Sequence, residues 1–330
     1  MRRRQFIGLI GGAAAWSRSA RAQAPRKPII GYFNILSKHA EAPFRAAFWQ
    51  GLADVGFIEN QNVTIIYRYL EGQYQPERVQ AFADELVALQ VDIIVTGSNA
   101  IPAIAAKHVT SRIPIVFLIG ADPIDLGLVA SYNRPGANVT GINVAPESLT
   151  AKRIELLNDL APGPFPLAEL INPAANTKVV DYEKRTALEA AQRLRRELLF
   201  VYASTAAEIA PAFEWIRQKH VVGLTIWFES LFQNNRDQIV SLANQNRIVT
   251  TYPERKFAEN GGLLSYGPTF PLPFRQLGTY AGKILTGGRP QDLPVMNPTT
   301  YELVINLKTA NATGVTIAPA LLARADEIIE

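Results

Sequence analysis

The residues of this chain that are able to do chemistry lie in short clusters, and none of the clusters is a catalytic motif. In Thr96-Gly97-Ser98-Asn99, small residues that let a backbone approach a ligand stand beside hydroxyl and amide groups, and Pro102 marks the opening of a helix just behind them. The free amides of such a helix start favour an anion such as a carboxylate. Capping by Ser98 or Asn99 is the simpler role, and the two are compatible. Asp122, in Gly120-Ala121-Asp122-Pro123, can pair an ammonium or accept hydroxyls, or else cap a helix. Phe228 and Glu229, after Trp227, offer a ring and an acid, and Tyr266-Gly267 a second ring; for the aromatics, core packing is the competing role. Asn34, Ser37 and Asn143 add amides and a hydroxyl at the ends of other apolar runs. Together these groups suit non-covalent recognition of a small solute: a carboxylate, an ammonium, a flat ring.

Motifs for other chemistry are missing. The chain has no Cys, which removes disulfides, thiol catalysis and iron–sulfur ligation together. It contains no dinucleotide or Walker loop, no G-x-S-x-G elbow and no H-E-x-x-H, and its three His (His39, His108, His220) are too scattered for a helical metal pair. The sequence therefore predicts no catalytic residue, no metal and no cofactor.

The elements that must position the clusters alternate between strand and helix. Apolar runs at 28–33, 62–67, 91–95, 113–118 and 139–144 read as strands, two of them apolar nearly throughout, as in a parallel sheet covered on both faces. The pattern restarts with strands at 167–171, 198–202, 221–227, 248–251 and 263–266, with helices between them at 179–196, 206–219 and 236–245. A helix at 274–285 and a strand at 301–305 remain after the second half, which suggests that the chain crosses back between two lobes. In such α/β lobes ligands bind beyond the carboxyl ends of the strands, where the clusters above fall.

Charge needs the same positional reading. The 330 residues hold 33 basic and 29 acidic side chains, a balance of +4 that would hint at a nucleic-acid partner. Five of the arginines lie in residues 1–22, which contain no acid: Arg2, Arg3 and Arg4, a short apolar stretch at 6–16, then Ala20-Arg21-Ala22. This is a signal-peptide pattern, too short to span a bilayer, and Arg3-Arg4-Gln5-Phe6-Ile7 matches the twin-arginine form. Cleavage near Ala22 leaves 28 basic against 29 acidic groups, so the expectation is a periplasmic protein with no nucleic-acid partner. A twin-arginine signal also suits the alternative reading, an exported cofactor-dependent enzyme.

Several stretches carry a family resemblance. They include Gly11-Gly12-Ala13-Ala14-Ala15-Trp16, Leu126-Gly127-Leu128-Val129-Ala130-Ser131, Asn133-Arg134-Pro135-Gly136 and Asn138-Val139-Thr140-Gly141. Gly261-Gly262-Leu263-Leu264-Ser265-Tyr266-Gly267, Glu302-Leu303-Val304-Ile305-Asn306-Leu307-Lys308-Thr309-Ala310 and Leu321-Leu322-Ala323-Arg324-Ala325-Asp326-Glu327 extend it towards the end of the chain. The chain resembles the periplasmic substrate-binding proteins of ABC transporters, in the family with tryptophan- and aromatic amino-acid-binding members. The resemblance implies a type I periplasmic-binding fold: an α/β chain in two Rossmann-like lobes, each a parallel sheet flanked by helices, joined by three crossovers. Expected boundaries are 28–143 plus about 268–290 for lobe I, and about 144–267 plus 291–330 for lobe II. The implied partners are a small-molecule solute (an amino acid, an aromatic acid or a similar carboxylate) and an ABC permease in the inner membrane, with the receptor acting as a monomer. The family's cleft residues fall on 96–100, on Asp122 and around Tyr266.

Overall fold

The computed structural model describes residues 26–73, 75–144, 147–297 and 300–330. The expected signal segment lies outside these residues. Five strands, β1 (Ile29–Asn34), β2 (Thr64–Tyr69), β3 (Ile93–Gly97), β4 (Ile115–Ile119) and β5 (Val139–Asn143), form a parallel sheet in the order 2-1-3-4-5. Successive side chains leave a strand on opposite faces, and here both faces are buried. Ile93 and Val95 join a cluster with α1 (Lys38–Ala53) and α10 (Leu272–Leu285), while Ile94 joins the opposite cluster with α2 (Pro76–Ala88) and α3 (Ala100–Val109). This double burial is why the strands read as unbroken apolar runs.

The second sheet has seven strands in the order 12-11-10-9-8-6-7: β6 (Leu167–Ile171), β7 (Leu198–Tyr202), β8 (Gly223–Ile226), β9 (Val249–Tyr252), β10 (Leu264–Pro268), β11 (Tyr301–Asn306) and β12 (Glu327–Ile329). Leu167 packs with α4 (Glu147–Leu160) and α5 (Thr177–Arg193), and its neighbour Ala168 faces α6 (Ala206–Gln218) and α8 (Arg236–Gln245). One pair departs from the expected parallel pattern: β10 and β11 run antiparallel. The chain enters β11 from the other lobe, at the end of the sheet where parallel strands finish, so β11 must run the opposite way.

The chain passes between lobes three times: after β5, after β10, and between residue 297 and β11. Before the last passage it returns to the first sheet, where the Met296 amide donates to the Gly141 carbonyl at 2.9 Å and the Asn143 amide to the Met296 carbonyl at 2.8 Å. Residues up to 296 thus sit with the first sheet, six beyond the boundary expected at 290.

Helix α10 completes the first lobe by lying against α1. Their backbones approach so closely that a Cβ on Gly51 would sit 1.9 Å from the Arg275 carbonyl oxygen, and one on Gly278 2.1 Å from that of Phe48. Neither obstacle is a flexible side chain, so the helices would have to separate. Gly278→Ala is therefore expected to lower stability by about 1–3 kcal/mol. Urea unfolding of the purified protein measures this, and an unchanged midpoint would show that the contact has slack.

Candidate functional site

The carboxyl ends of the two sheets face each other, and the loops that leave them enclose two chambers on either side of residues 172–176. The outer chamber, about 790 Å3, is walled by residues that follow β1 and β2 in the first lobe and β6, β7 and β8 in the second. The inner chamber lies between the loops after β3 and β4 and the Trp227–Phe228 pair after β8, and holds about 20 Å3, room for one water.

The segment after β8 borders both. Trp227 and Phe228 line the inner chamber; Leu231, Asn234 and Asn235 line the outer one. Between them Glu229 caps the short helix α7 (Ser230–Asn234) and is 2% exposed. Its Oε2 accepts the Leu231 amide at 2.7 Å and the Asn172 Nδ2 at 3.3 Å, whereas Oε1 has no partner among the described residues. The hydroxyl of Ser230 and Oδ1 of Asn234 are likewise buried without a partner among them. Burial pushes the Glu229 carboxyl up to about 8, against the opposing pull of the amides that it accepts.

From the first lobe, Ser98, Asn99 and Ala100 face the inner chamber. Ser98 holds a left-handed backbone (φ 69°), an uncommon state for a non-glycine residue. Asn99 caps α3 by accepting the Ile101 amide at 2.8 Å, and the helix's first turn leaves amides without intrahelical acceptors. Behind this loop Asn34 accepts the Leu36 amide through Oδ1 and keeps Nδ2 buried and unpaired among the described residues. A Cβ at Gly97 would stand 2.8 Å from that nitrogen, so glycine is what leaves it room. Ser37 caps α1 and lines the outer chamber. Four phenylalanines tie the lobes together: Phe228 stacks on Phe270 (5.7 Å between centroids), which touches Phe44 (5.3 Å) and Phe274 (6.0 Å).

Other residues singled out from sequence line neither chamber. Thr96, expected just past a strand ending at 95, lies within β3 and is fully buried in the sheet. Asp122 spends Oδ1 on the Ile124 and Asp125 amides, and Oδ2 accepts the Tyr132 hydroxyl at 3.4 Å, so it is the cap of its own turn. Asn143 donates to the Tyr132 hydroxyl at 2.9 Å from the end of β5. Tyr266 packs on the apolar cluster under α4, its ring 6.3 Å from Tyr301. Gly267 makes room for the Pro253 carbonyl, which a Cβ would meet at 1.8 Å. Conversely, Gln73, Ala174, Asn176, Thr205 and Asn234 border the chambers although the sequence does not single them out. Each follows a strand, and that position is the signal that could reveal them.

A family model described as ABC transporter substrate binding protein matches residues 30–329. The chain belongs to that family. Its members are solute-binding proteins of ABC transporters, not enzymes, and work outside the cytoplasm. This family member is 25% identical to the "Tyrosine-binding protein" of Clostridioides difficile (strain R20291) over 308 residues, 91% of this chain and 85% of that one. Its fold matches a conserved domain protein from Vibrio cholerae (TM-score 0.84, 24% identity, 92% of this chain and all of that one). It also matches an ABC domain from Streptococcus pneumonia in complex with L-Trp (TM-score 0.80, 23% identity, the same coverages).

In this substrate-binding protein the buried acid couples stability to pH. A folded-state value near 8 against an ordinary 4.5 means that the native state keeps a proton which the unfolded chain gives up between those values. Stability is therefore lost as pH rises from about 4.5 to about 8. Glu41 and Glu254, both buried and both raised to about 7, act in the same direction. Glu229→Gln removes one contributor, so its stability relative to the native protein should rise by about 4 kcal/mol between pH 5 and pH 8.5. Chemical denaturation at the two values checks this; parallel curves for both proteins would rule out a proton held at Glu229.

Proposed function

We propose that this protein is the receptor of an ABC importer and that its solute is an aromatic amino acid. The observation that carries the reading is the unpartnered, fully buried oxygen of Glu229, a residue that lines neither chamber but stands in the chain between Phe228, which lines the inner one, and Leu231, which lines the outer one. A buried polar atom without a partner costs free energy, and a ligand ammonium placed there recovers it as a charge-assisted hydrogen bond. The free amides at the start of α3, with Ser98 and Asn99, take the carboxylate, and Trp227 and Phe228 give the ring an apolar wall. Asn34 and Gly97 support that loop from behind, and Ser37 stands at the rim. Asp122 and Asn143 act through Tyr132 by fixing the first lobe's loops, and Thr96, Tyr266 and Gly267 hold the strands behind them. The family relative named for tyrosine and the structural neighbour carrying L-Trp support the same solute class.

One water's worth of space in the inner chamber means that the lobes part before a ring enters, separating Phe228 from Phe270. Hinge motion at the three passages supplies the opening, and contacts from both lobes favour closure over the solute. The receptor then delivers the solute, as a monomer, to a permease in the inner membrane. Residues 1–22 direct twin-arginine export and are removed near Ala22.

Calorimetry with L-tryptophan and L-tyrosine tests the solute class, and Glu229→Gln should weaken binding by about 30-fold, as expected for losing roughly 2 kcal/mol of charged hydrogen bond. Aromatic acids that lack the amine and yet bind as tightly would defeat the assignment. Because the empty site is protonated at pH 7, binding of an ammonium should release a proton. Affinity is then expected to rise between pH 6 and pH 8, with heats that depend on the buffer's ionisation enthalpy; buffer-independent heats would show no such linkage.

A further inference from the structure

Two helices begin at the inner chamber, one from each lobe. Asn99 caps α3 and Asn176 caps α5, and both residues line the chamber. With ten and seventeen residues, each helix brings the positive end of a developed dipole. Both caps have already used their side-chain oxygen: Asn99 Oδ1 accepts the Ile101 amide at 2.8 Å, and Asn176 Oδ1 the Lys178 amide at 3.1 Å. What each can still offer is its Nδ2, which only donates. In the first turn of α3 Pro102 has no amide to give, which leaves that of Ala100, a residue that also lines the chamber.

Two further donors stand in the same wall without a partner. Ser98 and Trp227 line the chamber, are 6% and 3% exposed, and hold a hydroxyl and an indole N–H with no hydrogen-bond partner among the described residues. Neither is sealed inside protein as the free atoms of Glu229 and Ser230 are, so each is open to the space that its residue lines. Among the described residues no acid and no base lines this chamber. Its side chains thus present donors to the interior, and the Ser98 hydroxyl is the one unpartnered group that can also accept.

We infer that the inner chamber is a carboxylate site completed by the second lobe. Asn176 and the start of α5 hold one side of the solute's carboxylate, and Ser98, Asn99 and the start of α3 hold the other, an assignment that rests on the aromatic amino-acid reading and adds the group that both lobes grip. At about 20 Å3 the chamber suits so small a group. A carboxamide would turn its NH2 towards donors, so the receptor selects free acids over their amides.

Titration calorimetry of the mature chain with L-tryptophan, L-tryptophanamide and indole-3-propionate tests this. L-tryptophan should bind about 30-fold more tightly than its amide. Asn176→Asp keeps an oxygen for the Lys178 amide, and with it the cap, but puts a charge where the donor was. It should weaken L-tryptophan about 100-fold and bring acid and amide within about threefold of each other, a change in selectivity that a loosened helix start would not produce. Asn176→Ser also caps; it should weaken L-tryptophan about tenfold, and it decides the matter if the aspartate variant does not fold. Equal affinity for L-tryptophan and its amide in the native protein overturns this inference and spares the amino-acid reading, and so does an unchanged L-tryptophan affinity in the variants. Indole-3-propionate binding as tightly as L-tryptophan, with the same loss in Asn176→Asp, overturns the amine at Glu229 and supports the carboxylate site. No heat from any of the three brings down both readings.

Discussion

Both sheets are buried on both faces, and this constraint organises the molecule. A strand covered above and below has no exposed surface for recognition, so polar function is confined to the few residues that follow each strand. Because the two sheets present their carboxyl ends to each other, these short segments meet, and the space that they leave is shared between lobes. Even the exception, antiparallel β11, follows from a chain that must travel between lobes at that same end.

Crowding so many polar groups into a buried seam has a cost. Glu229, Ser230, Asn234 and Asn34 each hold a buried atom with no partner among the described residues, and such atoms cost about 1–3 kcal/mol apiece. The phenylalanine cluster around Phe270 offsets part of this by holding the lobes together through apolar contact. A solute that satisfies the polar atoms while parting the rings exchanges one kind of cohesion for the other. In the proposed mechanism, closure is tuned by ligand chemistry and not by lobe-to-lobe contact alone.

How much of this is legible in the sequence depends on how sharply each element is punctuated. β6, β7 and α8 are bounded by proline, glycine or polar clusters, and their spans read directly at 167–171, 198–202 and 236–245. β3 reads two residues early because Val91 extends its apolar run, although the Val91 amide closes the turn after α2 by donating to the Leu86 carbonyl. That offset moves Thr96 and Gly97 from strand to loop. Asp122 looks like a ligand group because its type allows it, and only the local amides show that the carboxyl is already used. Tyr266 misleads since nothing in the sequence announces that β10 is flanked by an antiparallel neighbour. The loop 172–176 escapes notice although its strand is correctly placed, because its amides carry no distinctive chemistry.

The α1–α10 contact also bears on how the chain comes to be folded. The hydroxyl of Thr279 in α10 hydrogen-bonds to the Gly51 carbonyl in α1 across 228 residues of sequence. At about 5–20 residues per second, synthesis separates these partners by on the order of ten to fifty seconds. Throughout that interval the apolar side of α1 has no cover from the chain's own later helix, and most of the second lobe, from α4 to β10, is made before the first can close. The lobes therefore mature together, and no single cut in the chain releases either one whole.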